Sequence, residues 1–270
     1  PENGQVIIQP PVYKEFSNTI TKTNRKVLEN PLELEGDYYQ MDLDHLNKIL
    51  EQGNVNAMIL CNPHNPVGRV WNREELQKLV TICKKFNVLI ISDEIHADIV
   101  FKGHKFTSLL AFPEIHDQLV VLYSPSKLFN IASISDSICI IPNAKKRSAF
   151  ENLQNRYNLG RPNAFAQIAT SVGYLTCQNW VQSLIEYLEL NVLFISHFIQ
   201  DHIPQLSLIK QDGTYLVWID VSALPLNGDQ LIKYLAKEAK IGFSDGEIFG
   251  SQGKGFVRMN ISCPRSVIQH

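Results

Sequence analysis

The chain is predicted to be an α/β protein, with a three-layer large domain on a mainly parallel sheet and a smaller C-terminal α+β domain. Three observations carry that expectation. Short β-branched runs alternate with amphipathic helical stretches from Gln5 to about Asn143; long helical segments follow; a mixed strand and helix segment closes the chain.

The strands of the first part are read in "QVIIQ", "NAMILC", "NVLIIS", "LVVLYS" and "SICIIP". Apolar runs without polar alternation suit strands buried on both faces. Between the second and third lies "NREELQKLVTICKKF", in which Leu76, Leu79, Val80 and Cys83 recur at helical spacing behind an N-capping Asn72. That makes a strand, helix, strand unit. Helices are then expected over Ala144–Leu159, Ala164–Thr176 and Trp180 to about Asp201, the last with Leu184, Tyr187, Leu188 and Val192 on one stripe. In the closing segment "TYLVWIDV" and "FVRMNIS" read as strands, "GDQLIKYLAKEAK" as a helix and "SDGEIFGSQGKG" as a loop. The division is placed near Trp180, giving a large domain over 1–180 and a small one over 181–270.

Composition narrows the function. Twenty-five basic against 27 acidic residues give a formal charge of −2, with no Lys/Arg block of five, which argues against a nucleic-acid or anionic-membrane surface. The longest apolar runs fall far short of the ~20 residues of a membrane span. Five scattered cysteines and eight histidines form no CxxC pair and no metal-ligand spacing, as expected of reduced thiols in a cytoplasmic protein with no metal. The first residue is Pro1 rather than Met, so the N-terminal part of the protein is expected to be absent.

In open α/β sheets a ligand sits beyond the carboxyl ends of the strands. Here those ends carry Tyr13; Asn62, His64 and Asn65 in "NPHNPVG"; Asp93 and His96 in "DEIHADI"; and Ser124, Ser126 and Lys127 in "SPSK". Each has an ordinary explanation by itself: an edge aromatic, a proline-punctuated turn, a helix cap, a solvated lysine. Their succession at four strand ends points instead to one crevice.

The motifs "LCNPHNPVGRVW", "SDEIHADIV", "SPSKLFNIA" and "FVRMNISCPR" resemble the fold type I pyridoxal 5'-phosphate (PLP) enzymes of the aspartate aminotransferase superfamily. The likeness runs from about Gln5 to Arg265 and is nearest to the cystathionine β-lyase or cysteine-S-conjugate β-lyase branch. It implies that Lys127 bonds the cofactor aldehyde and then serves as general base, and that Asp93 pairs with the pyridine nitrogen. It further implies that Asn65 and His96 meet the ring oxygen, that Tyr13 stacks on the ring, and that Ser124 and Ser126 contact the phosphate. Arg258 would clamp the substrate α-carboxylate bidentately. The family's phosphate loop would precede Pro1, and a homodimer is expected. Three positions depart from the common pattern: His96 replaces the usual tyrosine, as in the β-lyase branch, Ser135 replaces a phosphate-binding arginine, and Ser133 and Ile134 replace a Gly-Leu pair.

The resemblance therefore implies a PLP-dependent carbon–sulfur β-lyase acting on cystathionine or a related amino acid. Two rivals are an aminotransferase, which shares the early steps, and a non-catalytic regulator on the same fold. Retention of Lys127, Asp93 and Arg258 together argues against the regulator.

Overall fold

The computed structural model describes residues 3–160, 163–226 and 228–270. The chain enters through β1 (Gln5–Ile8), crosses in α1 (Glu15–Lys22) and returns as β2 (Lys26–Glu29). A hairpin of β3 (Leu32–Glu35) and β4 (Tyr38–Met41) leads through α2 (Leu43–Glu51) to β5 (Val55–Cys61). Helix α3 (Arg73–Lys85) connects to β6 (Leu89–Asp93), and β7 (Leu119–Tyr123) and β8 (Ile138–Ile140) finish a six-stranded sheet. Its order is β2-β1-β5-β6-β7-β8; the first five run parallel, whereas β8 is antiparallel to β7.

Burial on two faces explains the apolar runs. Ile7, Met58 and Leu60 join a core with α3, while Val6, Ile8, Ala57 and Cys61 face a second cluster under α1. In α3 the stripe Leu76, Leu79, Val80 and Cys83 is fully buried. Its start is fixed by a capping box, Asn72 accepting from the Glu74 and Glu75 amides while Glu75 accepts from the Asn72 amide at 2.8 Å. Glu74 and Glu75 in the first turn and Lys84 and Lys85 in the last complement the helix dipole.

Three helices follow: α4 (Ala144–Arg156), α5 (Ala164–Thr176) and α6 (Gln178–His202). Helix α4 stops before the expected Leu159 because Asn158 turns left-handed (φ 55°), a conformation asparagine tolerates at a helix end. Helix α5 buries Ala166 and Gly173 but leaves Phe165, Ile168, Val172 and Leu175 exposed. Helix α6 is continuous across residue 180, starting two residues before the expected Trp180.

The second sheet is antiparallel, in the order β11-β12-β10-β9. It comprises β9 (Ser207–Leu208), β10 (Leu216–Asp220), β11 (Ser244–Asp245) and β12 (Phe256–Asn260), with α7 (Gly228–Tyr234) between β10 and β11 and α8 (Arg265–Gln269) at the end. The helix expected through Lys240 keeps its α pitch only to Tyr234. It then widens over Leu235–Ala239 and ends at left-handed Lys240, because residues 236–240 are exposed and have no buried neighbour to hold the regular spiral. The "SDGEIFGSQGKG" segment forms β11 and two tight turns that cross at Gly246 and Gly253. A Cβ on Gly246 would lie 2.1 Å from the Gly253 carbonyl, so glycine is required there.

The two sheets share apolar contacts, since Ile209, Trp218 and Phe249 belong to the same core as Met58 and Leu60. A buried ionic knot joins them as well. Asp212, inaccessible to solvent, accepts from Arg69 Nε (3.0 Å), the Val70 amide (3.0 Å) and the Tyr38 hydroxyl (2.9 Å). The Arg69 guanidinium lies between the rings of Tyr38 and Trp71 and also bonds Glu75 and the Tyr39 carbonyl.

Candidate active site

The parallel strands deliver their polar residues to one edge of the sheet. Tyr13 follows β1, Asn65 follows β5, Asp93 and His96 sit at and beyond the end of β6, and Lys127 follows β7. Together with Arg258 from β12 they line a cavity of about 250 Å³. Six of the eight residues to which the resemblance gives cofactor or substrate roles thus line it; Asn62 and His64, buried and close to Asn65 in sequence, do not.

Ser124 and Ser126 are not among the lining residues. The Ser124 hydroxyl donates to the Asp136 carbonyl at 2.6 Å and accepts from the Ser126 amide, so it shapes the turn that carries Lys127. Ser135 lies in the left-handed region (φ 56°) at the end of the short turn that follows.

Cys61, Ile95, Tyr215, Leu216 and Asn260 also line the cavity and were not anticipated. Asn260 had a signal: two residues beyond Arg258 on a strand, it must share that residue's face. Cys61 pairs in register with Asp93 across β5 and β6. Tyr215 packs edge-on against His96, with ring centres 5.6 Å apart, a contact between residues 119 apart in sequence that no local pattern reveals.

The electrostatics are those of an incomplete set. Asp93 is buried, accepts from the Ile95 amide at 3.2 Å, and has no ion-pair partner among the described residues. Burial pushes its carboxyl up to about 6, with nearby Lys127 pulling the other way. His96 is held down to about 3 by burial, and then by the positive charges of Lys127 and Arg258, so its ring is neutral; its Nδ1 is buried with no hydrogen-bond partner. Arg258 donates to Asn65 Oδ1 (3.0 Å) and Ser244 Oγ (3.3 Å) and lies over the Phe249 ring, and it meets no carboxylate among the described residues. A carboxylate with no ion pair despite the Lys127 amine nearby, a guanidinium that meets no carboxylate and an orphaned imidazole nitrogen fit a cationic ring plus an amino-acid carboxylate.

These shifts fix a pH dependence for the cofactor-free protein. His64 and His96, held neutral down to about 4 and 3, contribute stability above their unfolded value that is lost as pH falls below ~6.5. Asp93 acts oppositely: its raised value favours the fold at low pH, and that contribution is lost as pH rises from ~4 to 6. Asp93→Asn removes the opposing group. Urea unfolding between pH 4.5 and 5.5 is expected to show a stability slope steeper by about 1.4 kcal/mol per pH unit in the variant. An unchanged slope would mean that Asp93 is not held protonated by the fold.

The fold and this edge of the sheet define a protein class, and comparison with known proteins agrees: the chain belongs to the aminotransferase class I and II family, whose model matches residues 2–270. It is 38% identical to cystathionine beta-lyase PatB of Bacillus subtilis over 98% of this chain and 69% of that protein. To protein MalY of Escherichia coli it is 33% identical, over 99% of this chain and 69% of that one. The structure of cystalysin from Treponema denticola, which contains a PLP cofactor, superposes with a TM-score of 0.96 at 34% identity, covering 99% of this chain and 68% of that one.

Proposed function

We propose that this chain is a PLP-dependent carbon–sulfur β-lyase that converts cystathionine or a related cysteine S-conjugate, with water, to a thiol, pyruvate and ammonia. The observation that carries the reading is the convergence of Lys127, Asp93 and Arg258, from three separate elements, on one cavity in a chain similar to cystathionine beta-lyases.

Bound PLP supplies a sink for the negative charge that develops at Cα. Asp93 holds the proton on the pyridine nitrogen, and its buried setting makes a pair with that cation worth more than it would be in water. Tyr13, whose ring is set edge-on against Phe16 at 5.8 Å, offers a flat apolar face to the ring. Asn65 and neutral His96 would orient the ring oxygen. Lys127 Nζ takes the Cα proton and so drives departure of the thiolate from Cβ. At the phosphate end, the Ser124 hydroxyl already donates to the Asp136 carbonyl, while the Ser126 hydroxyl makes no hydrogen bond among the described residues and would be the free donor of the pair.

Arg258 would bind the substrate carboxylate through its fork. Arg258→Lys keeps the charge and loses that geometry, so KM for cystathionine is expected to rise at least about tenfold while PLP affinity stays within about twofold. Separate titrations with the two ligands check this, and a lost cofactor band would remove Arg258 from the substrate side.

Elimination and amino transfer share their early steps. Thiol release followed with a chromogenic thiol reagent, in the absence of any keto-acid acceptor, tests the lyase reading; turnover only with an acceptor would replace it with amino transfer. The five free cysteines suit a reducing cytoplasm. Among the described residues, no helix is long and apolar enough to cross a membrane. The exposed Phe165, Ile168 and Leu175 of α5 support a homodimer, which sedimentation analysis would test.

A further inference from the structure

His64 lies behind the cavity, fully buried, and is not among its lining residues. Its Nε2 donates to the Pro11 carbonyl at 2.9 Å, across 53 residues of sequence. Pro11 stands two residues before Tyr13, and His64 immediately precedes Asn65. The bond therefore straps the loop after β1 to the loop after β5. The strap continues. The Val12 amide donates to the Phe249 carbonyl at 2.8 Å, the Phe249 ring supports the Arg258 guanidinium, and Arg258 donates back to Asn65 Oδ1. These contacts form a closed circuit through both sheets.

We propose that His64 is a positioning residue that fixes Tyr13 and Asn65 relative to each other, and through Phe249 sets the seat of Arg258. The inference rests on the reading that the crevice binds PLP against Tyr13. The imidazole suits the task because it is rigid, packs edge-on against Trp71 at 5.7 Å and carries its donor at the far side of the ring. Its other nitrogen, Nδ1, is buried without a hydrogen-bond partner among the described residues, so the side chain's one such bond is the one it donates to Pro11. Burial holds its protonation down to about 4, which keeps it a neutral donor across the working pH range.

The test is a double-mutant cycle on cofactor binding. PLP is titrated by absorbance into the full chain, His64→Phe, Tyr13→Ala and the double variant. With Tyr13 present, His64→Phe is expected to weaken PLP binding about tenfold; with Tyr13→Ala in place, less than about twofold. His64→Gln, whose amide can reach the same carbonyl, is expected to stay within about threefold of the parent. Equal losses in the two backgrounds, or a His64→Gln variant as weak as His64→Phe, would overturn the assignment, because a purely structural histidine affects the site regardless of Tyr13. If circular dichroism shows His64→Phe unfolded, His64→Asn takes its place in the cycle, its amide being too short to reach Pro11. Absence of a cofactor band in the parent chain overturns the cofactor reading, and the inference with it.

Discussion

Lys127→Ala is expected to abolish elimination, lowering turnover by at least about 10²- to 10⁴-fold, and to remove the cofactor's covalent attachment while leaving the fold intact. Lys127 is the lysine among the residues lining the cavity, close enough to Asp93 for its charge to act on that carboxyl. Lys102 and Lys105 lie on the connector after β6 and are exposed, so their alanine variants should turn over normally. Borohydride reduction followed by peptide mapping gives the direct reading. A pyridoxyl label on another lysine would reassign the base. The fold should survive because Lys127 is only half-buried and makes no side-chain hydrogen bond among the described residues.

The largest effect on stability is expected at Asp212, which is not among the residues lining the cavity. Asp212→Ala leaves Arg69 2% exposed with one carboxylate instead of two, and strands the Val70 amide and the Tyr38 hydroxyl. Breaking a buried pair by removing one partner costs roughly 3 to 5 kcal/mol, because the desolvated partner stays behind. Glu75 still compensates Arg69, which favours the lower half of that range. Urea unfolding measures it. A loss below about 1 kcal/mol would mean that water replaces the carboxylate and that the knot contributes little to stability.

The sequence made some of this legible for physical reasons that differ residue by residue. Strands β5, β6 and β7 announced themselves because their apolar runs are buried or half-buried along nearly their whole length, and α3 because its cap and stripe are local. The hairpin of β3 and β4 stayed hidden, since "LELE" and "YYQM" are four-residue strands with one buried residue each. Likewise the direction of β8, a three-residue strand, leaves no mark on its composition. Asn65, Asp93, His96 and Lys127 could be placed because the ends of parallel strands converge by topology. Tyr215 and the partners of Asp212 could not, as they meet across well over a hundred residues. The partner of Ser124 was not legible either: its hydroxyl donates to the Asp136 carbonyl, twelve residues further along the chain.

The seat of Arg258 has one more consequence. Its supports are an amide oxygen, a hydroxyl and a ring face, all uncharged, while Asp93 rests on a backbone amide. Neither charge is neutralised by its own support, so Arg258 presents a cation from the second sheet, while the first sheet presents the Asp93 carboxylate with the Lys127 amine nearby. Under the proposed function, a cofactor whose ring nitrogen takes a proton would meet its complementary charge at Asp93 and a substrate carboxylate would meet its own at Arg258. Exchanging their seats would set cation against cation and anion against anion, so the order of the two ligands is written into the polarity of the cleft.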